Sequence, residues 1–213
     1  MNNKVFVIAA LVFTILGFFA LRMISSSAPR PAINLQEVAG SFVRPHSLSY
    51  GNTMSRVTVV EWFDPECESC RELHPSFKKI IEDYKDRVRF VLRYMPFHPG
   101  SMYAASVLEE ARELGKFDKA LDILFEKQPE WGNHHQPRPD LIPGYLSHLG
   151  IPAEKLEREY VIKKHGEKIR LDQVDGQAVG VNGTPTFFVN QRPLTELGDM
   201  PLRQAIELEL NAP

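Results

Sequence analysis

The chain has 213 residues, 43% of them hydrophobic, and 25 lysines and arginines stand against 27 aspartates and glutamates, a formal charge of −2 with histidine neutral. This near balance excludes a nucleic-acid binder driven by phosphate neutralisation, and the apolar and aromatic content excludes a wholly disordered chain. With only two cysteines, Cys67 and Cys70, a scaffold stapled by several disulfides is excluded as well.

Residues 5–21 form an apolar run interrupted mildly by Thr14 and Gly17 and bounded by Lys4 and Arg22. The run exceeds the roughly 7–15 residues usual for the apolar part of a signal peptide. If Arg22 snorkels, Met23 and Ile24 extend it toward the about 20 residues that span a bilayer. Residues 1–24 are therefore expected to be an uncleaved membrane anchor or a signal segment, with cleavage after Ser27 compatible with small Ser25 and Ser27. Residues 25–44, rich in Ser and Pro, read as a tether. One domain is expected over residues 45–213.

Within it, residues 56–63 are β-branched and aromatic and read as a buried strand after the turn-like Gly51-Asn52. Leu73, Phe77, Ile80, Ile81 and Tyr84 then fall on one helical stripe, with Pro75 inside it. Val88, Phe90, Leu92 and Tyr94 alternate with Arg89, Val91 and Arg93, predicting a second strand parallel to the first in a βαβ unit. A helical stretch follows. Ala104, Val107, Leu108, Ala111 and Leu114 form one stripe, Phe117, Leu121, Leu124 and Phe125 another, and Leu141, Tyr145, Leu146 and Leu149 a third that stops at Gly150. Residues 153–178 predict one or two more helices, so 97–178 reads as a helical insertion. Strand character returns at Thr186-Phe187-Phe188-Val189, Asn190-Gln191 turns the chain, and a last helix is expected around 202–210.

Chemistry concentrates at Cys67-Glu68-Ser69-Cys70, where a strand gives way to a helix. Unpaired N–H groups at a helix N-terminus stabilise a thiolate, and two residues between the cysteines on the first turn leave one sulfur outward and the other inward, close enough to bond. Cys67 is then the attacking thiolate and Cys70 the resolving thiol. A second feature is Gly183-Thr184-Pro185-Thr186: a proline at a strand entrance has no ladder donor to give, and a cis Thr184–Pro185 bond would present the Thr184 backbone to an extended substrate segment, whereas a trans strand-start proline would have no such role.

Val60-Glu61-Trp62-Phe63 leading into Cys67-x-x-Cys70, Pro75 five residues on, Gly183-Thr184-Pro185-Thr186, and Glu110-Ala111 through Leu114-Gly115-Lys116-Phe117 together resemble the DsbA-like branch of the thioredoxin superfamily over residues 45–213. The resemblance implies an α/β thioredoxin fold with a helical insertion, a cis Pro185 and thiol–disulfide exchange with protein substrates outside the cytoplasm, needing no cofactor. It implies that Glu61 assists proton transfer to Cys70, that Thr184 and Pro185 bind substrate, and that a membrane partner, a quinone-linked oxidase or a transmembrane reductase, recycles the pair.

The sequence departs from the DsbA pattern at Glu68 and Ser69, where strongly oxidising relatives carry histidine before the second cysteine. Asp64, Glu66 and Glu68 are expected to raise the Cys67 thiol and weaken its oxidising strength, with Ser69 compensating in part by a hydrogen bond. A rival reading makes the chain a membrane-tethered metallochaperone, with Cys67, Cys70 and His74, joined by His98 or His134-His135, holding Zn²⁺ or Cu(I). Spacing supports only the first three ligands, and no second Cys-x-x-Cys completes a set.

Overall fold

The computed structural model describes residues 41–213 apart from His134. The anchor or signal segment 1–24 and tether residues 25–40 lie outside the described residues, and no helix among the described residues is long and apolar enough to cross a membrane.

Strands β1 (Leu48–Gly51), β2 (Thr58–Phe63), β3 (Arg89–Tyr94), β4 (Thr186–Val189) and β5 (Arg192–Pro193) form one sheet in the order β1-β3-β2-β4-β5. β2 and β3 run parallel, joined by α1 (Glu68–Tyr84), while the other three pairings are antiparallel. The helical stretch between β3 and β4 resolves into α2 (Ser101–Glu113), α3 (Phe117–Glu126), the short α4 (Gln128–Trp131) and α5 (Ile142–Leu146), and the long α6 (Arg158–Ala178). The chain closes with α7 (Asp199–Asn211). Asn190 and Gln191, both at positive φ, make the two-residue hairpin between β4 and β5.

Both sheet faces are covered, which is why β2 is buried from Val59 to Phe63, the Glu61 carboxyl included. Val59, Phe63, Phe90, Leu92 and Phe187 pack with Phe77 and Ile80 of α1 and with Leu202 and Ile206 of α7. On the other face Val60, Trp62, Val91 and Phe188 pack with Phe42, Met95 and Val181. The Phe42 ring lies 5.6 Å from Trp62 and 5.0 Å from Phe188, edge to face. The packed domain therefore already includes Phe42, inside the stretch that composition reads as tether.

β1 gives no strand signal in the sequence because it is a short, half-exposed edge strand whose Ser49 and Gly51 break any apolar pattern. It ends at Gly51 with φ +76, where a Cβ would stand 2.3 Å from the Val88 carbonyl oxygen. Only glycine fits that approach.

The alternation in β3 also conceals a buried charge. Arg93 is fully buried, with its guanidinium 5.4 Å from the Trp62 ring, and its Nε and Nη2 donate to Asp172 (2.8 Å) and Asp175 (2.6 Å) of α6. Nη1 donates to the Ser41 carbonyl. Arg44 adds bonds of 2.8 and 2.7 Å to Asp175, and the Tyr94 N–H donates to Asp172 at 3.1 Å. This network fastens α6 to the sheet. Gly176 lets the helix approach so closely that a Cβ there would lie 2.7 Å from Trp62 Nε1. Removing the guanidinium leaves two buried carboxylates short of their main partner, so Arg93→Ala is expected to lower the unfolding free energy by about 3–5 kcal/mol, seen as a lower urea midpoint.

Candidate active site

β2 delivers the chain to a turn, Asp64-Pro65-Glu66, and Cys67 is the N-cap of α1 with extended backbone angles (φ −79, ψ 125). The Cys67 N–H donates to the Asp64 carbonyl at 3.1 Å, and the Arg71 N–H donates to the Cys67 carbonyl at 3.2 Å, closing the first turn. Cys67 and Cys70 are both free thiols; Cys67 keeps 8% of its surface and Cys70 1%. The Thr184–Pro185 peptide is cis, and the Cys67 thiol donates to the Thr184 carbonyl at 3.2 Å. Sequence segments 117 residues apart thus meet at one sulfur.

The two thiols are driven apart electrostatically. The Cys70 thiol hydrogen-bonds to Cys67, and together with contacts from Thr184 and the backbone N–H groups of Cys70 and Ser69 it outweighs burial and brings the Cys67 thiol down to about 6. A free thiol sits near 8.5. Cys70 goes the other way: burial first, then its bond to Cys67 and the charge of Glu61, hold its thiol well above the usual value. Glu61 lies in the centre of the sheet, opposite Leu92 and Phe187, and burial followed by the Cys67 charge pushes its carboxyl up to about 8. A neutral acid therefore stands at neutral pH beneath a thiol that resists ionisation.

The expectation that acidic neighbours raise the Cys67 thiol is overturned. Asp64 and Glu66 are wholly buried beneath the turn and spend their charge elsewhere. Asp64 accepts from the N–H groups of Glu66 (2.8 Å), Phe97 (2.8 Å) and His98 (3.3 Å) and bonds the Ser101 hydroxyl. Glu66 accepts from the Gly100 N–H at 2.6 Å and the Ser101 hydroxyl at 3.3 Å. Glu68 and the Ser69 side chain are exposed, and Ser69 acts on Cys67 through its backbone N–H. The two carboxylates serve to bind the segment leading into α2.

Gln128 of α4 was invisible in the sequence. Its Nε2 donates to the carbonyls of Pro65 (2.9 Å) and Cys67 (3.0 Å), clamping the cysteine turn from 61 residues away, where no spacing signal exists. Two histidines of the metal reading engage carboxylates: His74 Nε2 lies 2.8 Å from Asp122 of α3 and His98 Nδ1 lies 2.7 Å from Asp64, while His135 is exposed and His134 is outside the described residues. Among the described residues, the group of side chains placed to share an ion is Glu110, Glu113 and His165, which includes neither cysteine.

A thioredoxin family profile matches residues 44–207. The chain belongs to the thioredoxin family. Disulfide bond formation protein D of Bacillus subtilis is 30% identical over 176 residues, covering 75% of each chain. The crystal structure of oxidised BdbD from Bacillus subtilis superposes with a TM-score of 0.67 at 28% identity, over 78% of this chain and 94% of that one. The Na(+)/H(+) antiporter NhaA of Herminiimonas arsenicoxydans is 30% identical over 190 residues, which is 88% of this chain and 30% of the antiporter. The chain thus spans less than a third of the antiporter relatives it matches. Within the thioredoxin family the chain thus resembles a disulfide bond formation protein over three quarters of both chains.

Because Cys67 is ionised above about pH 6, the folded reduced protein holds fewer protons than the unfolded chain between that pH and the pKa of a free thiol. The stability Cys67 contributes is therefore complete above the free-thiol pKa and lost as pH falls through about 6. Alkylation of Cys67 by iodoacetamide in the reduced protein is expected to rise through a midpoint near pH 6 and level off below pH 8, and Cys70→Ala to move that midpoint upward.

Proposed function

We propose that Cys67 and Cys70 carry out dithiol–disulfide exchange on proteins outside the cytoplasm, with the domain held at a membrane by residues 1–24, and that net flow is toward substrate oxidation. The observation that carries this reading is the separation of the two thiols, with Cys67 brought down to about 6 and Cys70 held well above its usual value. A stabilised Cys67 thiolate favours the reduced pair, which makes the disulfide form a donor. The relative named disulfide bond formation protein D supports the same direction, and the apolar run at residues 5–21 supports the membrane placement.

In the oxidised protein a substrate thiolate attacks the Cys67 sulfur. The Cys67–Cys70 bond breaks, a substrate–Cys67 disulfide forms, and Cys70 leaves as a thiolate that takes up a proton from Glu61. A second substrate thiolate then attacks the substrate sulfur of the mixed disulfide, completing the substrate's own disulfide and releasing Cys67 as the stable thiolate. Two electrons pass from substrate to the pair, and a membrane oxidase is the partner that removes them. The Thr184 carbonyl, 3.2 Å from Cys67 Sγ, supports pairing of an extended substrate backbone beside Pro185.

Cys67→Ser is expected to abolish exchange. Cys70→Ser is expected to accumulate mixed disulfides through Cys67 that run as high-mass, reductant-sensitive species on non-reducing gels. Absence of any such species in cells expressing Cys70→Ser would contradict the assignment.

A further inference from the structure

His98, a metal-ligand candidate in the sequence, instead lies against the turn that carries the cysteines. Its Nδ1 is 2.7 Å from Asp64 Oδ2, and its own N–H donates to the same oxygen at 3.3 Å, so two contacts set the ring against one carboxylate. Asp64 touches both cysteines through its backbone: its carbonyl accepts the Cys67 N–H at 3.1 Å and its N–H donates to Cys70 Sγ at 3.4 Å. The His98 side chain keeps 23% of its surface while Asp64 keeps none, so the ring exchanges protons with solvent and the carboxylate is reached through it.

The ionisable groups that face His98 among the described residues include Asp64 and Glu66 from the β2–α1 turn and Cys67 from the helix N-cap. All three favour the imidazolium, the hydrogen bond to Asp64 most, and together they outweigh the ring's partial burial and hold it above its ordinary value.

We propose that His98 is a positioning residue for the exchange reaction: clamped to Asp64 as an imidazolium, it fixes the turn that addresses both sulfurs and supplies positive charge to the Cys67 thiolate, favouring the reduced pair. This rests on the assignment of Cys67 as the nucleophile. As pH rises through the His98 pKa, that charge is lost and the reduced pair becomes less favoured. Coupling between two sites is reciprocal, so a ring that stabilises the thiolate is itself more readily protonated when the thiolate is present. The disulfide form has no thiolate to offer.

The test is the NMR titration of the His98 ring in the full-length chain, reduced and oxidised, with the resonance assigned through His98→Gln. The pKa is expected to be higher in the reduced form by about half a unit or more, and His98→Gln to raise the midpoint of Cys67 alkylation. A purely structural histidine would titrate alike in both redox states. Equal His98 pKa values, or an unmoved Cys67 midpoint in His98→Gln, would overturn the proposal. If Cys70→Ser traps mixed disulfides while the two pKa values are equal, this assignment alone falls; if nothing is trapped, the exchange reading beneath it falls too.

Discussion

The hydrogen bonds around Asp64 are the constraint on which the cysteine-bearing end of the molecule depends. One residue at the end of β2 uses its carbonyl to set Cys67 at the helix N-cap, its N–H to hold the Cys70 sulfur, and its carboxylate to bind the chain entering α2. A buried carboxylate without partners would cost several kcal/mol, and here donors from Glu66, Phe97, His98 and Ser101 meet that demand. The same bonds join the βαβ unit to the helical insertion. Gln128 reinforces the turn from the insertion side by bonding the Cys67 carbonyl.

Once the turn is fixed, the chemistry follows from depth. Cys67 meets backbone N–H groups and the Cys70 thiol at the rim, which favours its anion, whereas Cys70 lies a turn deeper beside Glu61, where an anion is penalised. Glu61 pays the desolvation cost of a central sheet position and so stays protonated to neutral pH. The chain before the cis Pro185 puts the Thr184 carbonyl against the Cys67 sulfur. These features share one face of β2, because residues 59, 61 and 63 point toward α1.

Much of this was legible in the residues themselves. The β-branched and aromatic run of β2, the alternation in β3, the stripes of α1 to α3 and the Cys-x-x-Cys at a strand-to-helix junction report local patterns that the fold preserves. The negative charges near Cys67 looked like a shell around the sulfur because proximity in sequence says nothing of direction, and Asp64 and Glu66 turn inward to backbone donors more than thirty residues away. Arg93 read as one half of an alternation, and only the arrival of Asp172 and Asp175 on α6 shows why a guanidinium is stable there. β1 carries too few apolar residues to announce itself, and its pairing with β3 is what makes it a strand.

A turn that stabilises the Cys67 thiolate stabilises the reduced pair. A thiol near 6 lies between those of thioredoxin, about 7, and DsbA, about 3.5. The most direct measurement is the reduction potential of the Cys67–Cys70 pair, taken by equilibrating the full chain with glutathione buffers. A potential between about −270 and −120 mV, more oxidising than thioredoxin and less so than DsbA, is the predicted result; a value at or below about −270 mV would contradict a stabilised thiolate.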